Sequence, residues 1–431
     1  MDALKIQNKR LNGEVLVPPS KSDAHRAIIC ASLSNGKSEI YNVDISKDIL
    51  STIEGMRKFG AEINIFEDNK YNKLEITGFK NNNENSEITC RESGSTLRFL
   101  IPLALVINNG GKFTGEGKLI ERPLGVYYDI FNKMEVKFQN TDGKLPLNLK
   151  GSLKAGEYCL RGDVSSQFIT GLMFALPLIE GDSVIKVITE LQSKGYIDLT
   201  IKVLKDFGIE VINKDYKEFI IKGKQKYLGK KYFVEGDYSQ SAFWIAGGII
   251  GEKIRIKSLS KESVQGDKII EEIVKDMNGN IKNTEDDLVV EESKTIGITI
   301  DVSECPDLAP ILTVLGAVSE GTTRIINGER LRMKESDRLT SITCELKKLG
   351  ANIEEGYDSL TIKGVKFLNG GVVDSWNDHR IAMALAIASA KCKEPLILTG
   401  WKSVEKSYPK FWEDYRALGG EVFEWKLGKE L

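Results

Sequence analysis

Histidine is scarce: the 431-residue chain has two, His25 and His379. A histidine-based metal centre or a Ser–His–Asp triad has little to draw on. The six cysteines (Cys30, Cys90, Cys159, Cys305, Cys344 and Cys392) are scattered and form no CxxC. That excludes a zinc knuckle and a thioredoxin motif, and they read as reduced core thiols. No charge sign dominates, with 60 Lys+Arg against 62 Asp+Glu and a net charge of −2. General nucleic-acid or acidic-membrane binders carry a basic excess, so neither partner is expected. Apolar runs such as Phe168–Ile179 reach about 12 residues, too short to span a bilayer. The opening MDALKIQNKR has no apolar run behind a basic start, so it does not read as a signal peptide, and a cytoplasmic protein is expected.

Glycine is abundant at 40 residues, and the apolar fraction of 41% is that of a packed globular chain. The length suggests about two to four domains. One signature recurs: a basic amphipathic helix end, then Gly, then an apolar strand start. It appears in MRKFGAEI, LKDFGIEV, VKDMNGNI, LKKLGANI and YRALGGEV, with a degenerate copy in IFNKMEVKF that puts Glu135 at the Gly position. The marked positions 60, 135, 208, 279, 350 and 420 lie 75, 73, 71, 71 and 70 residues apart. Gly suits a helix end because it adopts the left-handed conformation without a Cβ penalty. Alternating segments such as IEVINKDYKEFIIKG then read as hairpins.

A second landmark precedes each copy. Small or polar residues open an apolar helix at Ser22, Ser95, Gln167, Gln240, Asp307 and Asp378. Each unit of about 72 residues therefore reads helix, strand, loop, helix, hairpin. The last copy is cut short, and the N-terminal strand LKIQNKRLNGEVLV is expected to complete it. The resulting fold is α/β with two lobes of three repeats. Residues 1–18 complete the second lobe, 19–235 form the first and 236–431 form the second.

Helix starts offer free N–H groups and a partial positive charge, which suit phosphate and carboxylate. The same residue types also serve as ordinary N-caps, and both uses stay open. Cationic neighbours favour an anion site: Lys21 and Arg26, Arg98, and His379–Arg380. The second helices begin similarly, with Arg122, with Ser193, Lys194 and Tyr196, with Lys334, Glu335, Asp337 and Arg338, and with Lys406. If these starts converge, the site would take a highly anionic small molecule at the junction of the lobes. Asp307 and Glu335 are the candidate acid–base groups, since a carboxylate among cations stays ionised and can act as a base. Asp337 could instead only pair with Arg332 or Arg338, and Asp378 could be a cap. GEGKL lacks phosphate-loop spacing, and no GxGxxG opens a helix after a strand.

Nine ordered motifs span nearly the whole chain: PSKSDAHRA, ESGSTLRFL, ERPLG, VSSQFITGL, SKGYIDLT, PDLAPIL, KESDRL, NDHRIAMA and VEKSYPKFW. In this order they resemble the EPSP synthase (3-phosphoshikimate 1-carboxyvinyltransferase) family of enolpyruvyl transferases. The resemblance implies the family's two-lobed inside-out α/β barrel, with six βαβαββ repeats, three per lobe. It implies transfer of the enolpyruvyl group of phosphoenolpyruvate to the 5-hydroxyl of shikimate 3-phosphate, with no metal or organic cofactor. A monomer acting on these two small molecules is expected.

Carried over by position, the resemblance assigns Lys21, Ser22, Arg26, Ser165, Ser166, Gln167, Ser193, Tyr196, Asp307 and Lys334 to shikimate 3-phosphate. It assigns Lys21, Gly94, Arg122, Gln167, Arg338, Arg380 and Lys406 to phosphoenolpyruvate. Asp307 is the implied base, and Glu335 and Lys21 the implied groups for protonating the methylene carbon and assisting phosphate departure. A side chain at Gly94 is expected to crowd the phosphate. Glu92, Phe99 and Arg330 depart from common family residues, and competition between glyphosate and phosphoenolpyruvate is expected. The sister enzyme acting on UDP-N-acetylglucosamine fits less well, because Gly115–Glu121 holds no cysteine and Ser22 follows Lys21. An RNA-end cyclase lacks support from charge, and an inactive anion binder could have lost Asp307 or Glu335, which are present.

Overall fold

The computed structural model describes residues 2–68, 70–79, 86–285 and 287–426. The chain divides into two compact units. A central unit covers Lys21–Val234, and a terminal unit joins Met1–Ser20 to Glu235–Leu431. The boundaries expected at 18/19 and 235/236 differ from these by one or two residues.

The central unit holds helices α1 (Lys21–Leu33), α2 (Lys47–Lys58), α3 (Gly94–Ile107), α4 (Gly125–Lys133), α5 (Ser166–Ala175) and α6 (Lys194–Asp206). The terminal unit holds α7 (Tyr238–Ile250), α8 (Ile270–Asp276), α9 (Ala309–Val318), α10 (Arg338–Lys348), α11 (His379–Ala388) and α12 (Phe411–Ala417). Odd-numbered helices are largely buried inside their units, with polar residues concentrated near their starts. All 13 residues of α7 are buried, as expected for a helix with no polar face. Even-numbered helices are amphipathic. In α2 the residues Ile49, Ile53 and Met56 recur at helical spacing and face the core. Burying each contributes about 1.5–3 kcal/mol, so Ile53→Asp would undo the docking of this helix.

Among the described residues there are six four-stranded sheets, all of one pattern. The central unit has Lys231–Phe233 beside Lys37–Val43, Tyr71–Thr77 and Glu62–Asp68, with two further sheets of the same order. The first pair of strands is parallel and the next two pairs are antiparallel. The short parallel strand precedes an odd-numbered helix in sequence, and the antiparallel pair is the hairpin after an even-numbered one.

The N-terminal segment was expected as one strand and is two. Asp2–Ile6 lies between Leu396–Thr399 and Val422–Lys426, antiparallel to both, where the other sheets place their return strand. Gly13–Leu16 instead runs parallel to Lys253–Lys257 in a different sheet. Arg10 bridges the turn between them by donating from Nε to the carbonyl of Gly251 at 2.9 Å.

The helix-end landmarks also need adjustment. The left-handed residues are Gly60 (φ 98°), Glu135 (φ 57°), Gly208 (φ 82°), Asn278 (φ 67°), Gly350 (φ 85°) and Gly419 (φ 86°). Asn278 and Gly419 thus take the role expected of Gly279 and Gly420. Asn tolerates this conformation by local hydrogen bonding, so the following glycine need not supply it. The helix-start landmarks are not equivalent positions either. Ser93, Ser165, Asp237 and Asp378 are the caps, while Ser95, Gln167 and Gln240 lie inside their helices. No described helix is long and apolar enough to cross a membrane.

Candidate active site

In the central unit the predicted residues gather at the starts of α1, α3, α5 and α6. Lys21, the first residue of α1, donates to Asp48 of α2 at 2.7 Å. Arg26 is buried one turn further on and is held entirely by neutral oxygens in the bonds it donates. Its Nε reaches the Thr200 hydroxyl at 2.8 Å, and its Nη atoms reach the carbonyls of Ser22 (2.7 Å) and Tyr196 (3.1 Å). The guanidinium lies 5.4 Å from the Phe99 ring centroid and 6.0 Å from that of Tyr196, within cation–π range. Phe99, unusual by resemblance, is therefore the floor under Arg26.

Arg98 donates to Gln167 Oε1 at 2.7 Å, and Gln167 Nε2 donates to Ser95 at 2.9 Å. Ser165 caps α5 by accepting from the Gln167 amide at 3.3 Å, with Ser166 buried beside it. Ser193 precedes α6 in the left-handed region at φ 60°, unusual for a residue with a side chain. The Arg122 guanidinium lies over Gly94: a Cβ there would stand 2.6 Å from Arg122 Nη1. A side chain at Gly94 would therefore crowd the arginine. Glu92 packs against Gly117, whose Cβ would meet Glu92 Oε2 at 2.9 Å.

In the terminal unit the cations meet carboxylates. Arg338, the first residue of α10, is 2% exposed. It bonds Asp307 Oδ1 (2.8 Å), Glu335 Oε2 (2.7 Å) and Asp378 Oδ2 (2.8 Å). Burial alone would make Arg338 easier to deprotonate, but Asp378, Glu335 and Asp307 outweigh it and raise its pKa above the usual arginine value. Asp307 also accepts from Arg380 Nη2 at 2.9 Å and lies 3.5 Å from Lys334 Nζ. Asp378 caps α11, the use that the sequence allowed, accepting from the Arg380 amide at 2.9 Å, and it also pairs with Arg338. Asp337 caps α10 and pairs with Arg332 at 2.8 Å. Lys406 donates to the Asn377 carbonyl at 2.6 Å. Arg330 donates to the Ser303 carbonyl at 2.6 Å.

Several residues here escaped the sequence reading. Asp48 and Thr200 hold Lys21 and Arg26, and their helices give no sign of that pairing. His25 bonds Thr52 through Nδ1 at 2.8 Å, Thr52 bonds Thr96 at 2.7 Å, and Thr96 bonds the cap Ser93 at 2.8 Å. Burial, then Lys21 and Arg26, hold His25 well below the usual histidine range. Asp267 is buried and accepts from the Ser239 hydroxyl. Burial, then the neighbouring charge of Asp307, push its carboxyl up to about 6.

Known proteins bear on this arrangement. The family described as EPSP synthase (3-phosphoshikimate 1-carboxyvinyltransferase) matches residues 6–415. The chain belongs to the EPSP synthase family. It is 55% identical over 436 aligned positions to a protein named 3-phosphoshikimate 1-carboxyvinyltransferase from Clostridium novyi, covering 100% of both chains. The like-named protein of Clostridium kluyveri is 53% identical, again over 100% of each. A solved EPSP synthase from Acinetobacter baumannii shares 25% identity, with a TM-score of 0.82 over 99% of this chain and 100% of that one. The enolpyruvyl transferase fold implied by the nine motifs is thus the fold of the chain.

Proposed function

We propose that the protein transfers the enolpyruvyl group of phosphoenolpyruvate to the 5-hydroxyl of shikimate 3-phosphate, releasing phosphate. The observation that carries this reading is the full-length identity of 55% to a relative named for that activity. The chemistry available in each unit supports it. Arg26 donates only to neutral oxygens, although burial lowers its pKa to about 10, and with Lys21, Ser22, Ser165, Ser166, Gln167, Ser193 and Tyr196 it is assigned to shikimate 3-phosphate. Asp307 and Lys334 complete that assignment. Gly94, Arg122, Gln167, Arg338, Arg380 and Lys406, with Lys21, are assigned to phosphoenolpyruvate.

Asp307 stays ionised because Arg338, Arg380 and Lys334 surround it, so it is available to accept the 5-hydroxyl proton. The oxygen then attacks the enolpyruvyl carbon while Glu335 or Lys21 protonates the methylene, giving a tetrahedral intermediate that still bears phosphate. Loss of that proton and of phosphate restores the double bond. The arginines stabilise negative charge without needing to reorganise. The six sheets of one pattern support reading the chain as six copies of one unit, three to each lobe. We assign the enzyme to the cytoplasm as a monomer without a cofactor.

The test is phosphate release from phosphoenolpyruvate by the purified protein, with shikimate 3-phosphate or UDP-N-acetylglucosamine as acceptor. Release is expected with shikimate 3-phosphate only. No release, or release with the UDP sugar alone, rejects the reading.

A further inference from the structure

The backbone before α11 is strained at two successive residues. Trp376 and Asn377 both lie in the left-handed region, each at φ 53°. Neither is glycine, and two such residues in succession persist only where neighbours over-determine them. Ordinary loop bonds supply part of that restraint. The Trp376 amide donates to Asp374 Oδ1 at 2.6 Å, and the Ser375 hydroxyl donates to the Gly400 carbonyl at 2.9 Å.

The Asp378 amide closes the turn by donating to the Ser375 carbonyl at 2.9 Å, and a further restraint comes from Glu345, a carboxylate that is 1% exposed on α10. Its Oε1 accepts from the Trp376 indole Nε1 at 2.7 Å, and its Oε2 accepts from the Asp374 amide at 3.0 Å. Lys348 donates to both oxygens from the solvent side, at 2.9 and 2.7 Å. Glu345 lies two helical turns from Arg338, on the same face of α10. Arg338 holds Asp378, at the far end of the strained segment. The helix therefore grips residues 374–378 at both ends. Between the two grips lies the Asn377 carbonyl, which receives Lys406 Nζ.

We propose that Glu345 and Trp376 are positioning residues for Lys406: the indole–carboxylate bond holds the left-handed pair that presents the Asn377 carbonyl to the lysine. The inference rests on the assignment of Lys406 to phosphoenolpyruvate above. Neither residue needs to touch substrate. A hydrogen bond to a charged acceptor is among the stronger kinds, so its loss should be measurable although the ring remains.

The experiment compares Trp376→Phe, Lys348→Met and the wild type in steady-state assays with both substrates, alongside thermal unfolding. Trp376 is 41% exposed, so Phe removes the N–H donor with little loss of packing. Trp376→Phe is expected to raise the KM for phosphoenolpyruvate about tenfold, with kcat and the KM for shikimate 3-phosphate within about twofold. Lys348→Met leaves both bonds of the strut in place, and all three constants should stay within about twofold of wild type. In a Lys406→Met background, Trp376→Phe should add nothing further.

An unchanged KM for phosphoenolpyruvate, an equal rise for both substrates, or full additivity with Lys406→Met would overturn the inference. A wild type without turnover overturns the proposed function and this inference with it. An active wild type with an unresponsive Trp376→Phe overturns the inference alone.

Discussion

The two units solve the same problem, holding buried arginines, in opposite ways. In the central unit Arg26 rests on a hydroxyl and two carbonyls. In the terminal unit Arg338 rests on three carboxylates. Neutral acceptors satisfy a guanidinium's donors without cancelling its charge, so the charge is left for a ligand. Carboxylates cancel it, and in return gain a fixed geometry and a secure ionised state. An arginine of the first kind suits gripping a phosphate. A cluster of the second kind suits proton transfer, because Asp307 is aligned and ionised at once.

The sharpest way to break this contrast is to remove each arginine. Arg338→Met takes a buried cation from three carboxylates, of which Asp307 keeps Arg380 and Lys334, and should cost about 3–5 kcal/mol of stability in urea denaturation. Arg26→Met strands only neutral groups and should cost about 1–3 kcal/mol while still abolishing tight binding of shikimate 3-phosphate. Equal losses would erase the distinction between the units.

Asp307→Ala should lower kcat by about a thousandfold, the usual range for a lost general base, while its circular dichroism stays that of the wild type. A fully active variant would remove Asp307 from its assigned role. Gly94→Ala should act more mildly. Its Cβ must displace the end of the Arg122 side chain, and we expect the KM for phosphoenolpyruvate to rise about tenfold with kcat less affected. An unchanged KM would show that Arg122 moves without consequence.

The smallest expected effect is a pair of opposed pH slopes. His25 has a depressed pKa when folded. Its contribution is present above the unfolded value of about 6.5 and is lost as pH falls below it. Asp267 has a raised pKa of about 6. Its contribution is complete below the unfolded value of about 3.9 and is lost as pH rises towards 6. His25→Asn should therefore lessen the loss of stability on going from pH 7 to pH 5, and Asp267→Asn should deepen it. Urea midpoints across that range would read both, and matching slopes in the two variants would contradict the assignment.

Local features were legible in the sequence where one residue does one job. Gly60, Gly208 and Gly350 end helices in the left-handed region because glycine does so at little cost. Legibility failed by one position at Asn278, where a second residue type can do the same. It failed more widely where partners are distant. The strand Gly13–Leu16 pairs with Lys253–Lys257, more than half the chain away, so the alternation of its residues says nothing about which sheet it joins. Charged residues behaved likewise. Asp337 was legible as an ion-pair partner of Arg332 or Arg338 and Asp378 as a cap, but that Asp337 also caps α10 and Asp378 also holds Arg338 depends on helix packing. Glu345 gave no signal, because a lone acid near a helix end reads as a solvated one.

The strand Asp2–Ile6 imposes an order on synthesis. The central unit is one continuous stretch and can acquire every strand of its three sheets once Val234 has left the ribosome. The terminal unit cannot. The strand Asp2–Ile6 occupies an inner position between Leu396–Thr399 and Val422–Lys426, which follow it in the chain by more than half its length. This strand must wait for both neighbours to be made before its sheet can form, so the terminal unit closes only after the central one can fold.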